Sequence, residues 1–129
     1  MNFSSKYSIK LLTGLLSAVI LFHFCILFKI IPYDIAWGGR LTGDKEMIVF
    51  ETLSILINAF LIVILLMKGD LIEYKFPDKI LNRILWIFFA IFVLNTIGNL
   101  LAKTTFEKLF AILTAISAIL IFVILKKKK

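Results

Sequence analysis

Four apolar runs, each long enough to cross a lipid bilayer, leave this chain little freedom in how it can fold. A spanning helix needs about 20 mainly apolar residues, and such runs fall at about 11–31, 47–67, 80–101 and 106–125. Inside hydrocarbon no water satisfies backbone N–H and C=O groups, so each run must close its hydrogen bonds within itself, as an α-helix. The expected fold is therefore all-α. It is an integral membrane, antiparallel four-helix bundle forming a single transmembrane domain over 1–129, with connections too short for a separate soluble domain. The composition agrees, because 61% hydrophobic and 18% charged residues depart from the roughly half apolar and quarter charged make-up of soluble domains.

A net charge of +7 would suggest nucleic acid in a soluble protein. Here the basic residues flank apolar runs, where they anchor the chain and attract anionic lipid, so no nucleic-acid partner is expected. Ten Lys and Arg fall at the N-terminus, the middle connection and the C-terminus, and five on the opposite side (Lys29, Arg40, Lys45, Lys103 and Lys108). That bias places both termini in the cytoplasm. Lys126 to Lys129 could also serve as a eukaryotic retrieval signal, although a stop after the last span explains them equally. The first run is longer than the core of a cleaved signal, about 7 to 15 residues, and ends in Lys29, Pro32 and Tyr33, so it reads as a retained helix. Single Cys25 permits no intrachain disulfide and no multi-cysteine metal site, and it reads as packing.

Local signals punctuate the runs. Asp44 is a candidate N-cap for the second helix and Gly69 its C′ residue. Thr104 and Glu107 have the spacing of a capping box. Ala111, Thr114, Ala115, Ser117 and Ala118 form a small-residue face on the fourth helix that invites close packing, with Gly14 and Ala18 on the first and Gly98 and Ala102 on the third.

The first outer connection, from Pro32 to Glu46, carries Tyr33, Asp34, Trp37, Gly38, Gly39 and Arg40. Its aromatics suit the interface, the glycines allow a tight turn, and Asp34 can pair with Arg40 across it. It reads either as a loop seated on headgroups or as one that lines a ligand site. With Glu51-Thr52-Leu53-Ser54-Ile55 shortly after it, this segment resembles a family of small bacterial four-helix membrane proteins. The resemblance covers roughly residues 32–58, implies a bacterial cytoplasmic (inner) membrane, and brings no activity with it.

Polar side chains within spans are costly, about 2.5 to 3.5 kcal/mol for a central charge on insertion scales, so their placement is informative. At 1.5 Å per residue, His23 lies about 12 Å from the outer end of its helix, Glu51 about 6 Å and Asn95 about 10 Å, with Asn99 shallower and Asn58 near the midplane. All fall in the outer half, which suggests an outward-facing polar cavity. Glu51, Ser54 and Asn58 share one face of the second helix, and Asn95, Asn99 and Lys103 one face of the third, both expected to look inward. Glu51 reads either as an interfacial carboxyl paired with Lys29, Lys45 or His23, or as a group exchanging a proton with His23. His23, Asn95 and Asn99 also read as interhelical hydrogen bonding.

The candidate ligand-binding residues are thus His23, Asp34, Trp37, Arg40, Glu51, Asn58, Asn95 and Asn99. No catalytic residue, metal or cofactor is expected, since one His and one Cys offer no ligand pair at helical spacing. Three functions fit: binding or transport of a small molecule or lipid, as a homo-oligomer; an accessory subunit docking another membrane protein; and a lipid-modifying enzyme using Glu51 and His23 as acid and base. Membrane lipid is the expected partner throughout.

Overall fold

The structure, a computed structural model, describes residues 3–30, 43–101 and 105–126. Four α-helices and no strand are present among them: α1 (Phe3–Leu27), α2 (Asp44–Lys68), α3 (Asp78–Leu100) and α4 (Thr105–Lys126). All four are long and apolar enough to cross a membrane, as the four runs required. Each helix packs mainly on its two neighbours around a closed ring, with the α3–α4 seam the most extensive and α2–α3 the thinnest. Late α1 meets early α2 and early α4, as in His23–Glu51 and Phe22–Phe110, so adjacent helices are antiparallel. The start of α1 and the end of α4 therefore share one end of the bundle, the terminal end. The α1–α2 and α3–α4 connections lie at the other, distal end.

The apolar core fills the terminal half. Ile9, Leu12 and Leu16 of α1 meet Leu61, Ile64 and Leu65 of α2, Leu81, Leu85 and Phe88 of α3, and Ile121 and Ile124 of α4. In the distal half the described residues form a second, smaller buried cluster of Ile26 and Met47, flanked by Phe22, Leu27 and Phe50, and Phe92 of the main core also lies there.

The helix ends differ from their sequence signals in instructive ways. The first apolar run suggests a helix over 11–31, but α1 starts at Phe3 and ends at Leu27. Lys29 takes a left-handed conformation (φ 63°), and the N–H groups of Lys29 and Ile30 donate to the carbonyls of Ile26 and Cys25, closing a Schellman motif. At the end of α2 the left-handed residue is Asp70 (φ 58°) rather than Gly69. Gly69 is needed for another reason: a Cβ there would lie 3.3 Å from Ile9 Cγ2, so its small size lets α1 approach the last turn of α2. Nor does Asp44 cap α2. Gly43 holds the cap position without a side-chain bond, and Asp44 sits in the first helical turn paired with Lys29.

The small-residue faces divide. Ala111, Ser117 and Ala118 are buried against α3 and the rest of the core, whereas Gly14 and Gly98 are exposed with nothing near enough to meet a Cβ. Gly14 and Gly98 do not mediate close packing within the bundle.

Candidate functional site

The core of the terminal half is mainly Leu and Ile, whereas both buried carboxylates among the described residues, Glu51 and Glu107, lie in the distal half. At its centre, His23 Nδ1 lies 2.5 Å from Glu51 Oε1, joining α1 to α2, with the Glu51 side chain 0% and the His23 side chain 15% exposed. Helical phase produces this pairing. Met47 and Glu51 are buried one turn apart on α2, and Ile26 and His23 are three residues apart on α1, so the inward stripe of each helix turns a polar side chain toward the other. Of the three partners open to Glu51 in the sequence, His23 is the one this contact selects, while Lys29 joins Asp44.

Hydrogen-bonding side chains also sit at other inward positions, from the middle of α2 to the distal half of α3 and α4. Asn58 donates through Nδ2 to the Ser54 carbonyl at 2.8 Å, keeping its amide satisfied on its own helix. The Thr96 and Thr114 hydroxyls meet at 2.8 Å across the α3–α4 seam, and each also reaches its own helix, Thr96 the Phe92 carbonyl at 2.8 Å and Thr114 those of Phe110 at 3.1 Å and Ala111 at 3.2 Å, so either can be the donor between them. Glu107, read from sequence as half of a capping box, is only 3% exposed, a second carboxylate buried at the same end. Its signal was available: Glu107, Ala111, Thr114 and Ala118 recur at i, i+4, i+7 and i+11, one face of a helix.

Asn95 departs from expectation. It is exposed on α3 while Thr96 is turned toward α4, a rotation of one position, or about 100°. The packed stripe of α3 runs through Phe88 and Phe92, and the next inward positions in that stripe are Thr96 and half-buried Asn99. Asp34, Trp37 and Arg40, with Lys103 and Thr104, lie outside the described residues.

Beside the polar group lies a cleft of about 290 Å³ between α1 and α4. Its lining, Leu15, Ala18, Val19, Phe22, Leu109, Phe110 and Leu113, is wholly apolar; residues 32–42 of the connection expected over the polar cavity lie outside the described residues. Phe22 joins the two features, meeting Phe110 edge-on at 5.0 Å and the His23 ring at 5.8 Å.

Chemically, the His23–Glu51 contact keeps its hydrogen bond through a full protonation cycle. With no proton on the carboxylate, the Nδ1–H of neutral or cationic imidazole donates to Oε1. With the carboxyl protonated, its O–H donates to bare Nδ1, or imidazolium donates to the carbonyl oxygen. A proton can thus enter or leave without breaking the α1–α2 tie. Among the described residues no group of three His, Cys, Asp or Glu could hold a metal ion, and free Cys25 is half-buried.

No known protein family, curated protein or solved structure gives a significant match to this chain. Function is therefore argued from these residues alone.

Proposed function

We propose that this is a small polytopic protein of a bacterial cytoplasmic membrane that binds, and as a homo-oligomer transports, a small molecule or lipid at its distal end. Both termini lie in the cytoplasm and the distal end faces outward, following the excess of Lys and Arg at the terminal end. The observation that carries the reading is the 2.5 Å contact of His23 with a fully buried Glu51. A terminal half packed with aliphatic side chains needs no such costly pair for stability, so its place in the distal half favours use over packing. Asp34, Trp37 and Arg40 of the outer connection would complete the ligand site in this reading.

One observation favours the accessory-subunit alternative. Gly14 and Ala18 are exposed on α1 four residues apart, and nothing in the bundle approaches Gly14, a spacing that suits a helix of another membrane protein. The lipid-modifying reading is weaker, because a sealed Glu51 carboxylate has no open face toward a substrate.

The test is purification in mild detergent at neutral and acid pH, followed by mass spectrometric identification of retained small molecules and lipids. Wild type is expected to retain a ligand at one pH and release it at the other, with Glu51→Gln and His23→Asn losing that dependence. The same retention in all three proteins at both pH values overturns the proposal.

A further inference from the structure

We infer that the cleft between α1 and α4 is a binding site for one acyl chain of a phospholipid from the distal leaflet. The inference deepens the ligand reading above by naming a chemical class, and rests on it only for which end of the bundle holds the headgroup.

Depth is the first argument. At 1.5 Å per residue, Phe22 lies about 8 Å below the end of α1 and Leu109 about 6 Å below the start of α4, while Leu15 lies about 18 Å below the α1 end. The cleft thus begins just beneath the headgroup level and stops near the bilayer midplane, the depth range of one leaflet's chains in a hydrocarbon core about 30 Å thick. Its lining on α1 runs over about two turns, from Leu15 to Phe22, along the direction in which acyl chains run.

Lining and size supply the second. Every wall residue is apolar, so a ligand portion seated there makes no hydrogen bond, and its affinity comes from packing alone. The volume of about 290 Å³ is roughly twice the ~150 Å³ cavity that accepts benzene. It suits a chain segment rather than a whole amphiphile. The polar part must then sit outside the cleft, above Phe22, whose ring contacts His23.

The experiment uses the full chain, stripped of lipid by detergent exchange and titrated with palmitoyl-oleoyl phosphatidylglycerol at a single pH, with native mass spectrometry reading the bound state. Wild type is expected to hold one lipid per chain. Ala18→Phe and Leu113→Phe, which fill the cleft from opposite walls, should lower retention at least ten-fold. Leu21→Phe, on the exposed face of α1, should leave it unchanged, and circular dichroism should show the same helix content in all four proteins. Equal retention in wild type and both filled variants, no retention by wild type, or a dimer that the filled variants abolish each overturns the inference, the last because a second copy then occupies the cleft. Since retention is read at one pH, these results bear on the chain site alone. Loss of pH dependence is the separate outcome that bears on the His23–Glu51 reading.

Discussion

His23 Nδ1 and Glu51 Oε1 lie 2.5 Å apart across the α1–α2 seam, and the carboxylate is sealed from solvent. Removing one member takes this hydrogen bond from the other while its desolvation cost stays. Glu51→Leu or His23→Leu alone should therefore cost about 3 to 5 kcal/mol, and the double replacement should recover much of that. Thermal unfolding in detergent gives the cycle, and strict additivity would mean that the two side chains do not interact.

Across the α3–α4 seam, the Thr96 and Thr114 hydroxyls meet at 2.8 Å, and each also bonds a carbonyl of its own helix. Thr114→Val removes one interhelical bond and strands no donor, so the expected loss is about 0.6 to 2 kcal/mol. Thr96→Val should match it, and the double variant should lose no more than either single one. A double loss equal to the sum of the single losses contradicts the bond.

Gly69 is filled on one side by Ile9 and on the other by the Leu65 carbonyl. Gly69→Val should cost about 1 to 3 kcal/mol through overpacking at a fully buried Ile9. Pairing it with Ile9→Ala, which opens the space, should restore part of the loss relative to Ile9→Ala alone. Chemical denaturation of both backgrounds reads the difference, and no rescue argues against the contact.

In the α2–α3 connection, the Lys75 ammonium donates to Asp70 Oδ1 at 2.8 Å and lies 3.5 Å from Asp78. The hydrogen bond and the charge of Lys75 hold the Asp70 carboxyl below the usual range. The bond to Asp70 raises Lys75, partly opposed by desolvation. The Asp70 contribution is present above the ordinary carboxylate value and fades as pH falls through the lowered one. That of Lys75 is present below the ordinary lysine value and fades as pH rises through the raised one. Asp70→Asn should lower stability by under about 1 kcal/mol from about pH 5 to 9 and by nothing in strong acid. A deficit that persists in strong acid would assign the effect to something other than the pair.

Orientation is read by chemical labelling. With Cys25 replaced by Ala, a cysteine at exposed Lys45, at the distal end, should react with a membrane-impermeant thiol reagent in intact cells. One at exposed Tyr74, in the α2–α3 connection, should react only after permeabilisation. The reverse pattern would turn the bundle over and place the ligand end in the cytoplasm.

The spans were legible because hydrocarbon forbids any other backbone, but apolarity does not say where a helix stops. Phe28 and Ile30 are as apolar as the residues before them, and only the left-handed turn at Lys29 ends α1 there. His23 and Glu51 were legible as candidates from their depth and phase, whereas their contact depended on how α1 and α2 rotate against each other. The same freedom misplaced α3 by one position, turning Thr96 toward α4 and Asn95 outward. Glu107 escaped notice because one residue at a helix start can serve the cap or the core, and burial decided for the core.

The uneven distribution of the core makes the bundle a hinge. Aliphatic side chains from all four helices hold the terminal half together, so pulling helices apart there exposes the most packed surface. Among the described residues at the distal end the same separation disturbs fewer buried apolar side chains. Fluctuations that part the helices therefore pivot about the terminal end and spread the distal end like the jaws of tweezers, with amide exchange fastest in the distal turns of all four helices.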